Sequence, residues 1–85
     1  MDNFGQKFRM AVTEEILRKR EKVADILQRA RVQRGLTQEQ LAEMTDFSRS
    51  TIIRIEQAKF SPNADQLYAL CDALQIGLKI DEEKI

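Results

Sequence analysis

Arg49, Ser50, Ile53, Arg54 and Gln57 gather on one side when residues 48–57 are wound as a helix, at about 100° per residue. That face joins two guanidinium groups, a hydroxyl, an amide and a β-branched aliphatic. The chemistry open to such a set is recognition. Arginine bonds bidentately to guanine O6 and N7, serine bonds several base edges, and an exposed aliphatic covers a thymine methyl. A solvated helix face with one stray isoleucine fits the same residues. The opposite side, Ser48, Thr51, Ile52 and Ile55, is apolar enough to pack.

The elements that must hold this face lie immediately around it. Thr37 reads as an N-cap, and Gln40 completes a capping box. A short helix over about 38–45 follows, with Leu41, Ala42 and Met44 as its inner face. Thr45-Asp46 is turn material, because aspartate tolerates left-handed geometry better than most residues. Phe47 is expected to be buried, and Ser48 caps the next helix, over about 49–57. Lys59-Phe60-Ser61-Pro62 is a loop. Asn63 caps a further helix, Gln66 closes a second box, and Leu67, Leu70, Cys71 and Leu74 form its core stripe. Cys71 on that stripe reads as a small buried hydrophobe.

Upstream, neither Pro nor Gly interrupts Gln6 to Arg34. Phe4, Phe8, Val12, Ile16, Val23, Ile26, Leu27 and Ala30 recur at helical spacing. One long helix, or two with a bend near Lys19–Lys22, both fit. Gly35 ends the run, with Arg31 and Arg34 in the last turn, where cations suit the helix dipole. Downstream the period changes. Ile76, Leu78 and Ile80 alternate with Gly77, Lys79 and Asp81, a strand pattern. No second strand is evident to pair with it, and a lone strand leaves backbone groups unpaired. A fifth short helix is the alternative.

Composition narrows the function. The 85 residues allow one domain with one modest core. With no histidine and one cysteine, a zinc site built from the chain's own Cys and His is excluded, as are an internal disulfide and Ser-His or Cys-His catalysis. No cofactor and no enzyme activity are expected. No apolar run is long enough to span a membrane, and the first ten residues lack a signal-peptide core. A cytoplasmic protein is the default. Net charge is zero, yet residues 1–60 hold 12 Lys/Arg against 9 Asp/Glu, whereas residues 61–85 hold 2 against 5. A chain polarised in this way can turn a positive face toward DNA while staying neutral.

The string Gln38-x-x-Leu41-Ala42-x-x-x-x-Phe47-Ser48-x-x-x-Ile52-x-x-Ile55-Glu56 resembles the helix-turn-helix of the phage repressor/Cro family, called the XRE family among bacterial regulators. The resemblance covers about Val23 to Leu74. It implies an all-α, lambda-repressor-like bundle, here with an extra N-terminal helix and a short C-terminal β-strand. The corresponding segments are an N-terminal extension (1–20), the DNA-binding domain (21–75) and a strand or tail (76–85). The resemblance implies base reading by Arg49, Ser50, Ile53 and Arg54, and phosphate contacts from Gln38, Thr37, Thr51, Lys59 and Asn63. A helix N-terminus with free N–H groups suits such phosphate contacts. Ala42 matches the small residue at the helix crossing. Arg31 and Glu56 match a structural ion pair. Two positions depart from the pattern: Asp46 and Ala58 stand where glycine is usual. Asp46 also brings a negative charge near the DNA, and Ala58 leaves the geometry of the next loop open.

Such proteins usually bind as two-fold dimers. Ile76, Leu78 and Ile80 are the expected dimer interface, as an intersubunit antiparallel ribbon, and the N-terminal stripe is the other candidate. The reading is a sequence-specific, dimeric, DNA-binding transcriptional regulator without a ligand domain. An antitoxin that represses its own operon and binds a toxin protein is one alternative. A protein-interaction module that has lost DNA binding is another.

Overall fold

The computed structural model describes residues 12–85. The part of the N-terminal stripe at Phe4 and Phe8 lies outside them. Four helices follow in order: α1 Glu14–Gln33, α2 Gln38–Thr45, α3 Arg49–Glu56 and α4 Ala64–Leu74. A minimal hairpin, β1 Lys79–Ile80 and β2 Glu83–Lys84, closes the chain.

Each helix begins where its cap dictates. Thr13, Thr37, Ser48 and Asn63 are all extended, and each side-chain oxygen accepts from the backbone N–H three residues on. Such a cap satisfies an otherwise orphaned donor and stabilises by about 1 kcal/mol. Both expected capping boxes are present, at Thr37/Gln40 and Asn63/Gln66. Thr13 also fixes the start of α1: Val12 and Thr13 are not helical, and one continuous helix runs through residues 19–22. It ends at Gly35, whose φ of 69° favours glycine.

The core gathers one stripe from every helix. Leu27 of α1, Leu41 of α2, Ile52 and Ile55 of α3, and Leu70 and Leu74 of α4 are buried together. Burial of each such side chain contributes about 1.5–3 kcal/mol. Val23, Leu36, Phe47, Leu67 and Ile76 pack around them, partly buried. Cys71 is buried, and burial pushes its thiol pKa up.

The inner face of α2 differs from expectation. Met44 is exposed and Thr45 is buried in its place. On a helix, Thr45 lies about 40° from Leu41, whereas Met44 lies about 60° away on the other side. The buried hydroxyl is satisfied, donating to the Leu41 and Ala42 carbonyls. On α1, Ala24 rather than Ile26 faces the core.

The C-terminal segment also departs from expectation. The chain does hold a second strand: β1 pairs with β2 in antiparallel register, Lys79 opposite Lys84 and Ile80 opposite Glu83. Residues 76–78 precede the strand, and Ile76 packs on the core. The signal for β2 was hidden because Glu83-Lys84 is a charged pair, exposed on both faces, with no hydrophobic alternation to reveal it.

Arg34 fastens the end of α1 to the end of α4. Its guanidinium donates to the Leu74 and Gln75 carbonyls. A cation there also meets the negative end of the α4 dipole. Among the described residues, no helix is long and apolar enough to cross a membrane.

Candidate nucleic-acid interface

The turn between α2 and α3 is built from a left-handed residue. Asp46 has φ 63° and ψ 20°, and both its N–H and that of Phe47 donate to the Ala42 carbonyl. The turn geometry expected of glycine is therefore retained by aspartate, at a cost that its short polar side chain reduces. Ala42 is buried in the core that α2 and α3 share, so the two helices approach closely there. Ser48 then starts α3 and hydrogen-bonds the Thr51 hydroxyl at 2.9 Å.

With Ile52 and Ile55 buried, the other side of α3 is directed outward. Arg49, Ser50, Arg54 and Gln57 are exposed and Ile53 is half-buried. Among the described residues, neither Arg49 nor Arg54 enters an ion pair. The structure thus brings the four expected base-reading residues onto one surface, with both guanidinium groups open to an acceptor.

Beneath that surface lies a polar lock. Arg31 of α1 meets Glu56 at the end of α3 through two parallel bonds, Nε to Oε2 at 2.7 Å and Nη2 to Oε1 at 3.1 Å. The side chains are 11% and 4% exposed. Arg31 Nη1 also donates to the Leu36 carbonyl at 2.6 Å. Gln38 completes the set, its amide donating to Glu56 Oε1 at 3.0 Å. Among the described residues, no buried side-chain N or O atom is left without a partner, which is the condition for a buried pair to be tolerated. The lock fixes α3 to α1 and to the N-terminus of α2 at once.

The remaining phosphate candidates are spread around this face. Thr37, Thr51 and Asn63 use their side-chain oxygens locally, in caps or with Ser48. Lys59 is exposed in the loop after α3. That loop turns at Ala58, which takes φ 60°. Ala58 N–H donates to the Ile55 carbonyl and Lys59 N–H to the Arg54 carbonyl. The loop keeps the form a glycine would give it. Beside the N-terminal end of α3, Glu39, Glu43 and Asp46 line a shallow recess together with Arg49.

Two residues outside the sequence reading belong to this surface. Arg20 of α1 donates to the Ser61 hydroxyl at 3.2 Å and to the Lys59 carbonyl at 3.4 Å. Phe60 lies under Arg54, whose guanidinium carbon is 5.3 Å from the ring centroid. Arg20 and Ser61 are 41 positions apart, so no local pattern announces the contact.

Comparison with known proteins agrees with this geometry. The profile of the Helix-turn-helix family matches residues 27–80. Among curated proteins, the chain is similar to the transcriptional regulator ClgR of Mycobacterium tuberculosis, in strains CDC 1551 / Oshkosh and ATCC 25618 / H37Rv. Identity is 33% over 61 residues, 72% of this chain and 54% of each relative. The chain therefore spans about half the length of these relatives. No solved structure gives a significant match. With the capped α2–turn–α3 unit, the outward arginines and the family match together, the chain belongs to the Cro/C1-type (XRE) helix-turn-helix family of DNA-binding transcriptional regulators.

Proposed function

We propose that the protein is a sequence-specific transcriptional regulator that binds DNA as a homodimer, with α3 in the major groove. The observation that carries this reading is the outward face of α3: Arg49 and Arg54 stand exposed and free of ion pairs among the described residues, on a helix anchored by Ile52, Ile55 and Glu56. Arg49, Ser50, Ile53 and Arg54 read base edges. Gln38, Thr37, Thr51, Lys59 and Asn63 grip phosphates, with backbone N–H groups at the helix starts assisting. Residues 21–75 form the DNA-contacting unit.

The dimer is formed through the C-terminal hairpin. Support comes from apolar surface around it: Ile80 and Ile85 are 61% and 63% exposed, with Ile26 and Tyr68 also exposed nearby. Leu78 is half-buried and lines grooves that include Ile26, Tyr68 and Ile85. Both outer edges of the hairpin also offer unpaired backbone groups among the described residues. Two α3 helices in a dimer would meet half-sites about 34–36 Å apart.

The test is selection of DNA from random sequence by the purified protein. A palindromic site, bound with an affinity that falls with log salt at a slope of about −0.9 per neutralised phosphate, is the expected result. Arg49→Ala or Arg54→Ala should each cost about 1–3 kcal/mol and relax one base pair. Equal loss on every sequence would overturn the base-reading roles. Ile80→Glu should yield monomers in sedimentation; an unchanged dimer refutes the hairpin interface.

One observation favours a second reading, a protein-interaction module. Glu39, Glu43 and Asp46 put three carboxylates beside Arg49, where a phosphate backbone would be repelled. Absence of salt-dependent DNA binding would decide for that reading.

A further inference from the structure

Arg54 is attached to the loop that follows its own helix twice. Its backbone carbonyl accepts the Lys59 N–H at 2.9 Å, and its guanidinium carbon lies over the Phe60 ring, 5.3 Å from the centroid. The ring in turn is held from below. Phe60 is half-buried, packs against the core, and shares an apolar recess with Ile16, Val23, Ile55 and Leu67. Arg20 grips the residues on both sides of it, the Lys59 carbonyl and the Ser61 hydroxyl.

A cation–π contact holds the guanidinium without an anionic acceptor for its N–H donors. Those donors are what bidentate recognition of guanine requires. A carboxylate partner would have consumed them. The ring therefore restrains a long side chain of high rotamer entropy without competing for its ligand. Arg49, at the other end of α3, has no aromatic partner among the described residues, and so provides an internal comparison.

We infer that Phe60, held in place by Arg20, is a specificity-determining positioning residue that presets Arg54 toward a guanine-bearing base pair. The inference rests on the proposed base-reading role of Arg54. It extends the recognition surface beyond α3 to the following loop and to α1.

The experiment is random-sequence selection with the full chain, comparing wild type, Phe60→Leu, Phe60→Tyr, Arg20→Met and Arg54→Ala, with urea unfolding to establish that each is folded. Phe60→Leu should lower preference about 2–5-fold, the equivalent of an exposed cation–π contact, at the one base pair that Arg54→Ala also relaxes. Phe60→Tyr should keep the preference, Arg20→Met should weaken it at the same position, and the Arg49 position should not change. Without DNA, the ring-current shift of the Arg54 side-chain protons should vanish in Phe60→Leu. If Arg54→Ala relaxes a base pair while Phe60→Leu and Arg20→Met leave that preference intact or lower all sequences alike, the positioning role is overturned. If Arg54→Ala relaxes nothing, base reading itself has failed, and the inference fails with it. Should Phe60→Leu not fold, Arg20→Met and the ring-current shift in wild type decide the matter.

Discussion

The Gln38 amide donates to Glu56 Oε1 at 3.0 Å, joining the first residue of α2 to the last residue of α3. One N–H of the amide is thereby occupied, which leaves the other for the proposed phosphate contact. A residue proposed for DNA contact thus also stabilises the two-helix unit. Gln38→Ala should lower stability by about 1.5 kcal/mol, the lower end for a bond to a charged group. It should also weaken binding to all DNA sequences alike, because a phosphate contact carries no sequence information. Urea unfolding and binding to a specific and a scrambled site measure the two effects. A loss confined to the specific site would contradict the phosphate role.

Glu56→Gln is expected to be more damaging. The Arg31 guanidinium would stay buried, 11% exposed, without its charge partner. Stranding one member of a buried pair costs about 3–5 kcal/mol. Because the Arg31–Glu56 pair is fully hydrogen-bonded, replacing both residues with apolar ones of similar volume should recover much of that loss. Equilibrium unfolding of the single and double variants checks this; a loss below about 1 kcal/mol for the single variant would mean the pair behaves as a surface bridge.

What the sequence made legible follows from how local each interaction is. Caps at Thr37, Ser48 and Asn63 act over three residues, and so their helix starts could be read directly. Ile52 and Ile55 show themselves through helical period, as does the outward set from Arg49 to Arg54. Met44 is exposed against expectation, because spacing from Leu41 alone does not say on which side the stripe is centred. The second strand carries no sequence signal, because Glu83 and Lys84 are exposed and bear no alternation. Arg20, Arg34 and Phe60 were silent for a different reason. Their roles depend on partners brought near by tertiary packing, across 39 to 41 positions for the two arginines.

Ala58 holds φ 60° without being glycine. A left-handed L-residue is strained by about 1–2 kcal/mol, while glycine's freer unfolded chain takes back about 0.4–1 kcal/mol. Ala58→Gly should therefore stabilise by about 0.5–1 kcal/mol, raising Tm by roughly 2–8 °C in a domain of this size. Calorimetry measures the change. A lower Tm would mean that the unfolded-state entropy outweighs the strain.

Asp46 combines two effects that Asn separates. It occupies the left-handed turn at φ 63°, and its carboxylate shares a recess with Arg49. Asparagine accepts the same backbone geometry and removes the charge. Asp46→Asn should thus leave stability within about 0.5 kcal/mol, as for a surface change without strain. DNA affinity should rise by about 2–5-fold at low salt, the scale of one screened charge near a phosphate. The gain should apply to every sequence and shrink as salt rises, because the Debye length falls to about 8 Å at physiological ionic strength. Asp46→Gly should add the same electrostatic gain and a small change in stability, so the two variants together distinguish charge from backbone. Binding titrations at two salt concentrations supply the measurement. If Asp46→Asn leaves affinity unchanged at low salt, the carboxylate does not face the DNA backbone, and the docking of α3 must be turned away from the α2–α3 recess.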